Sequence, residues 1–260
     1  MEIKSCNPIF ITKNIIIFCW LSFVILSANQ LRAETFNIQS IDGKAQVINI
    51  LLNGEHEILT IATIKDTLRL KNCIDIENAS VWNKYFIKII YRLHAGSGLN
   101  VLQMMILTSK SDKIYESLHI TSLFKDEFID YSKEHVSTTQ PDMISSYQVK
   151  INLLNSNPSN LKLKVHTKTW EKIRDNPKKN SNKSYDNILN FDTRKNIFYG
   201  GKVKIAKSFT VYNPKTNQKK KQFIEARSYL INLGGYNYYY LDDYWYSLGG
   251  INDLSKFTYK

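Results

Sequence analysis

Along most of the chain, apolar and polar residues alternate in steps of two. This is the period of a strand with one buried face, and helical spacing is rare. Residues 45–52 and 55–61 alternate on either side of Asn53-Gly54. That dipeptide predicts a two-residue type I′ hairpin turn with both residues at positive φ. Leu68, Leu70, Ile74 and Ile76 continue the alternation, and Tyr85, Ile87, Ile89, Tyr91 and Leu93 follow. After the turn residues Gly96-Ser97-Gly98, positions 99–107 are almost uninterruptedly apolar, the pattern of a strand covered on both faces. Lys110-Ser111-Asp112-Lys113 then returns the chain through 114–121.

Phe124, Phe128 and Tyr131 fall at i, i+4 and i+7 and predict one short helix over 123–134. Residues 135–146 are polar, contain Pro141 and read as a loop. Strands at 147–154 and 161–170 flank Asn155-Ser156-Asn157-Pro158, and the Lys- and Asn-rich stretch 176–187 reads as an exposed loop. Strands at 202–212 and 219–227 flank Asn213-Pro214-Lys215-Thr216-Asn217, and 229–233, 236–241 and 244–248 complete the series. The expected fold class is therefore mainly β, an antiparallel sandwich or strongly twisted sheet with one short helix near 123–134.

A different pattern opens the chain. An apolar run at 15–26 (IIIFCWLSFVIL) follows Lys4 and Lys13 and gives way to small and polar residues ending at Ala33. A dozen residues fall short of the ~20 needed to span a bilayer but fit the hydrophobic region of a secretory signal. The expectation is a signal peptide over 1–33 and an exported β-rich domain over 34–260, with a possible sub-division near 135–146. The mature start is placed near Glu34, with Asn29 as the alternative, and no transmembrane span is expected in the mature chain. A lipoprotein reading of Cys19 is disfavoured by the bulky Ile17 and Phe18 before it. An uncleaved anchor is disfavoured by the shortness of the run. Cleavage removes Cys6 and Cys19, leaves Cys73 without a partner for a disulfide, and predicts a buried, inert thiol.

Charge adds a second asymmetry. Residues 34–140 carry 11 Lys and Arg against 13 Asp and Glu, a net of −2, whereas 141–260 carry 21 against 9, a net of +12. Lysine outnumbers arginine 29 to 6, and lysine is a point charge suited to diffuse, salt-sensitive attraction more than to bidentate recognition. The C-terminal half should therefore meet an anionic polymer, a glycan or an acidic protein surface. The export signal and the lack of an RNP-like aromatic motif argue against nucleic acid.

Two groups of residues are candidates for that contact. Lys162, Lys164, His166 and Lys168 share one face of a strand, about 6.6 Å apart, while Leu161, Leu163 and Val165 take the other. Lys202, Lys204, Lys215, Lys219, Lys220 and Lys221 are expected to gather on the next hairpin, where lysines also commonly guard an edge strand. The second group is aromatic: Tyr236, Tyr238, Tyr240 and Trp245 belong to a run of rings that suits sugar stacking, but also cross-strand packing within a sheet. Asp242-Asp243 in the same run reads as a pair of turn residues.

Catalytic patterns are absent. No G-x-S-x-G, H-E-x-x-H, C-x-x-C pair or Walker A occurs, and Gly200-Gly201-Lys202 runs into Val203 without the upstream glycine. The histidines at 56, 94, 119, 135 and 166 have no ligand spacing. The expected function is a non-catalytic, exported binder with no metal and no cofactor. The alternatives are a secreted hydrolase of an envelope or extracellular polymer, with its site assembled from distant residues, and a protein-protein module such as an inhibitor or envelope-assembly subunit.

Overall fold

The computed structural model describes residues 31–129, 140–157, 160–204, 208–213, 218–223, 228–233, 236–241, 244–248 and 258–259. They are mainly strand and form antiparallel sheets. β1 (Leu31–Gln39), β2 (Ala45–Asn53), β3 (Ile58–Ala62) and β4 (Thr67–Lys71) make a four-stranded meander. The chain leaves it through Asn72, whose φ is 61°, a left-handed conformation that asparagine tolerates. An eight-stranded central sheet follows: β5 (Cys73–Asn83), β6 (Phe86–Leu93), β7 (Leu99–Lys110), β8 (Lys113–Phe128), β9 (Met143–Asn155), β10 (Lys162–Ile173), β11 (Ser181–Asp192) and β12 (Ile197–Tyr199), each beside its neighbour in sequence. β13 (Gly201–Lys204), β14 (Ser208–Asn213), β15 (Gln218–Phe223), β16 (Ser228–Leu233), β17 (Tyr236–Leu241), β18 (Tyr244–Leu248) and β19 (Thr258–Tyr259) form a third sheet in the order β15-β14-β18-β17-β16-β13-β19.

Both faces of the central sheet carry cores. Ile48, Ile50, Leu52, Leu59, Ile61 and Leu70 of the N-terminal sheet pack on Ile76, Ile87, Ile89, Tyr91, Met105 and Leu107. On the opposite face Phe86, Met104, Ile106, Leu118, Ile120, Val149, Leu163, Val165 and Phe198 meet Ile231, Leu233, Tyr238 and Tyr240 of the third sheet. Because β7 lies under both covers, Met104 to Ser109 are buried in succession, which explains the unbroken apolar run.

The N-terminal sheet packs on β5 to β8. On the face of β9 to β11 turned away from Val149, Leu163 and Val165, the residues Gln148, Lys150, Asn152, Lys168, Asn182, Ser184, Asp186 and Ile188 are exposed.

Four expectations are corrected. Residues 123–128 are not helical but end β8, where Phe124 pairs with Val101 on one side and Tyr147 on the other; 130–134 lie outside the described residues. Phe124 and Phe128 are four residues apart, a spacing that puts them on one face of a regular strand as well as on one face of a helix, and 123–128 pair without a register shift. The stretch 176–187 is not a loop: after a 3-10 turn at Pro177–Lys179 it enters β11, whose first half is exposed on both faces and therefore polar throughout.

The hairpin at Asn53-Gly54 exists, but its loop spans four residues, 54–57. The Asn53 side chain accepts a hydrogen bond from the His56 N–H at 3.2 Å, and Glu57, not Asn53 or Gly54, has positive φ (51°). The two-residue turn with both φ positive is Ser111-Asp112 (52° and 65°), closed by the Lys110–Lys113 pair. Tertiary bonds hold it there. The Asp112 carboxylate accepts from Gln46 Nε2 at 2.5 Å and Lys65 Nζ at 2.6 Å, which ties the N-terminal sheet to the end of the central one. The strand order of the third sheet also overturns the grouping of Lys202 and Lys204 with Lys219, Lys220 and Lys221. Glycine is required at Gly98, where φ is 83° and a Cβ would lie 2.8 Å from the Glu127 carbonyl oxygen.

Candidate functional site

β10 runs between β9 and β11, in the interior of the sheet. Leu161, Leu163, Val165 and Thr167 are buried on one side, and Lys162, Lys164, His166 and Lys168 lie on the other, as the alternation requires. Their interior position removes the edge-guarding explanation for this row. Across the ladder Lys150 stands opposite His166, Gln148 opposite Lys168, and Asn152 opposite Lys164. On β11 the partners are Asp186 opposite His166, Ser184 opposite Lys168 and Asn182 opposite Trp170.

Asp186 is the carboxylate that meets the row; Asp192, at the end of β11, accepts the Arg194 and Lys195 N–H instead. Asp186 sits 2.9 Å from Lys164 Nζ and 2.8 Å from His166 Nδ1. The Lys164 hydrogen bond, then that of His166, holds its carboxyl below the usual range. The carboxylate is thus ionised throughout the neutral range and partly offsets Lys164. No carboxylate meets Lys150, Lys162 or Lys168 among the described residues.

The alternation continues past the predicted row to Trp170 and Lys172. At this end of β10 the chain makes the 3-10 turn and returns as β11, leaving a groove of about 370 Å³ lined by Lys168, Trp170, Glu171, Lys172, Asn180, Ser181 and Asn182. Lys172 Nζ lies 5.6 Å from the centre of the Trp170 ring. Asn180 is fixed because its Oδ1 accepts the Ile173 N–H at 2.8 Å. The positively charged row thus ends in a half-buried indole flanked by two lysines and two carboxamides.

The other candidates do not join it. Lys202 and Lys204 lie on β13, and Lys219, Lys220 and Lys221 on β15, with β14, β18, β17 and β16 between the two strands. At about 4.8 Å per strand this separates them by roughly 24 Å, so they do not gather on one hairpin. Lys219 to Lys221 occupy an edge strand of the described sheet, the usual place for lysines that discourage edge pairing; Lys215 lies outside the described residues.

Tyr238 and Tyr240 are 4 % and 6 % exposed within the shared core, and the Tyr238 hydroxyl accepts the Thr121 N–H at 3.2 Å. They attach the third sheet to the central one and are unavailable as a stacking surface. Tyr236 pairs in register with Leu233, and Trp245 with Tyr240. Asp242-Asp243 lies outside the described residues.

A second polar cluster is closed to solvent. The Tyr91 hydroxyl lies 2.7 Å from His119 Nε2, and His119 Nδ1 lies 3.0 Å from Glu116 Oε2. All three residues are at most 7 % exposed. Burial, with Glu116 nearby, raises the Tyr91 phenol well above its ordinary value and keeps its proton on. On a regular strand, Glu116 and His119 would point to opposite faces. The extra residue Ser117 in the bulge turns both to the same side. Cys73 is also buried, with its Sγ 3.7 Å from the Asp75 carbonyl oxygen, and burial pushes its thiol up to about 12. It is therefore unreactive at neutral pH.

Among the described residues no cluster of His, Cys, Asp and Glu is arranged to hold a metal ion, and no helix is long and apolar enough to cross a membrane. Compared with known proteins, the chain matches no family model, no curated protein and no solved structure.

Proposed function

We propose that the chain is exported and that the open face of β9 to β11 binds an anionic or glycan polymer in the cell envelope or outside the cell. The observation that carries this reading is an uncovered sheet face. β9 to β11 bury Val149, Leu163 and Val165 on one side, and on the other they present Lys150, Lys162, Lys164, Lys168 and Lys172 among Asn, Gln and Ser, with Asp186 the carboxylate that meets the row. Flexible ammonium groups on a flat interior surface attract a polyanion by releasing its counterions, and the carboxamides and hydroxyls bond to sugar hydroxyls. Binding without catalysis fits the burial of the Tyr91–His119–Glu116 chain, which has the groups for proton transfer but no exposed member.

Changing Lys150, Lys162 and Lys168 to Gln together should weaken retention on heparin about tenfold or more at low salt and flatten its salt dependence. The control changes Lys219, Lys220 and Lys221 to Gln, and affinity chromatography across a salt series makes the comparison. Equal loss from both sets would mean that net charge alone governs retention, and an unchanged elution from the first set would end the proposal.

The fold also bears on processing. β1 begins at Leu31, pairs Leu31, Arg32 and Ala33 with Asn53, Leu52 and Leu51, and bonds the Arg32 guanidinium to the Ile76 carbonyl. Cleavage after Ala33 would remove these pairs, so the exported form should begin at Asn29. N-terminal sequencing of secreted protein checks this, and a first residue of Glu34 or a retained Met1 would contradict it.

A further inference from the structure

We infer that the groove beside Trp170 is a subsite for one acidic sugar: a pyranose ring stacked on the indole, with its ring carboxylate between the ammonium groups of Lys168 and Lys172. This rests on the reading of the open face and names the chemistry that face selects.

Lys168, Trp170 and Lys172 are spaced two residues apart on one face, which places each lysine Cα about 6.6 Å from that of the tryptophan. A side chain as long as lysine reaches back over the indole from either side, and Lys172 already does so at 5.6 Å from the ring centre. An exposed cation–π contact is weak, and a carboxylate placed over the ring would draw the ammonium to itself. The indole supplies what a lysine row lacks, a flat apolar face for the C–H side of a sugar.

The remaining lining sorts the ligand class. Asn180 has its Oδ1 committed to the Ile173 N–H, which leaves its amide hydrogens as donors to hydroxyl or ring oxygens. Asn182 lies opposite Trp170 in the ladder and offers a second carboxamide. Glu171 also lines the groove. A carboxylate there accepts hydrogen bonds from sugar hydroxyls. The groove's volume of about 370 Å³ has room for one or two sugar rings.

The test is calorimetry on the exported form with three probes of similar length: an oligogalacturonate, a neutral malto-oligosaccharide and a linear polyphosphate. The unaltered protein should bind the oligogalacturonate most tightly. Trp170→Ala should weaken that binding about tenfold and Trp170→Phe by much less, since Phe keeps a stacking face. Trp170→Ala should leave polyphosphate binding within about twofold. Lys168→Gln with Lys172→Gln should bring the uronate down to the level of the neutral sugar. Thermal melts of each variant establish that the fold is retained. Equal oligogalacturonate affinity for the unaltered protein and Trp170→Ala would overturn the subsite, as would equal losses for uronate and polyphosphate. In either case the face reading would stand if the Lys150, Lys162 and Lys168 variant still loses heparin retention. If that variant retains heparin fully, the face reading itself falls.

Discussion

Replacing His119 by alanine should lower the unfolding free energy by about 3–5 kcal/mol, far more than any change on the open face. The imidazole stands between the Tyr91 hydroxyl at 2.7 Å and the Glu116 carboxylate at 3.0 Å, and His119 and Glu116 are only 6 % and 7 % exposed. Removing it leaves a buried carboxylate without this partner and a phenol without its acceptor, and both groups have lost their water. Changing Glu116 and His119 together to leucine should recover much of the loss, because neither group is then stranded. Urea denaturation with an unchanged m-value makes the measurement. A cost below about 1 kcal/mol for His119→Ala would show that solvent reaches the cluster.

Alkali should act on the same region. Tyr91 and Cys73 hold their protons more tightly in the folded protein, so the unfolded chain binds fewer protons above about pH 9–10 and stability falls as pH rises from there. Tyr91→Phe should remove part of that alkaline decline.

How much of this was legible in the sequence depends on whether the backbone kept its period. Strands β2, β6 and β7 were readable because their residues alternate, or are continuously apolar, without interruption. The end of β8 is ambiguous because Phe124 and Phe128, four residues apart, share a face in a strand as in a helix, and a bulge at Ser117 earlier in β8 inserts a residue that no pattern counts. The same bulge hid the Tyr91–His119–Glu116 cluster, since residues three apart on a regular strand do not meet. β11 escaped because a strand exposed on both faces has no apolar side to announce it. Asn53-Gly54 has the composition of a two-residue turn, but the Asn53 side chain caps a wider loop. The tight turn falls instead at Ser111-Asp112, where Asp42, Gln46 of β2 and Lys65 hold it.

The candidate site was half visible. Lys162, Lys164 and Lys168 were placed on the correct face by simple alternation, and following the same period four residues further would have reached Trp170 and Lys172. The tyrosines could not be placed this way. A ring with a polar edge serves a core as well as a surface, and the docking of β16 and β17 on the central sheet decides for the core at Tyr238 and Tyr240. Lys202 and Lys221 are neighbours in sequence only. The sheet places β14, β18, β17 and β16 between the strands that carry them, an arrangement set by pairings such as Lys202 with Tyr229 and Tyr212 with Ser247.

Phe198→Ala should cost about 3–5 kcal/mol, comparable with His119→Ala but from the opposite face of the sheet. Phe198 belongs to β12, a strand of three residues with little backbone pairing of its own, so its place depends on the side chain. The ring is 0 % exposed, 4.8 Å from Phe191 and 5.5 Å from Phe86, and Phe86 meets Phe191 edge-on at 5.6 Å. This cluster lies in the core that also holds Ile231, Leu233, Tyr238 and Tyr240 of the third sheet. Truncation leaves a cavity among the packed rings, whereas Phe198→Leu fills most of the volume and should cost less than half as much. Thermal or urea unfolding of both variants tests the order, and equal costs would mean that the site collapses around alanine. The open face of β9 to β11 is the reverse side of this core. Below its lowered unfolding midpoint, Phe198→Ala should therefore keep the heparin retention of the unaltered protein, since the lysines and Trp170 stand on strands that stay paired. Loss of retention while the variant is still folded would show instead that packing behind β10 sets the geometry of the face.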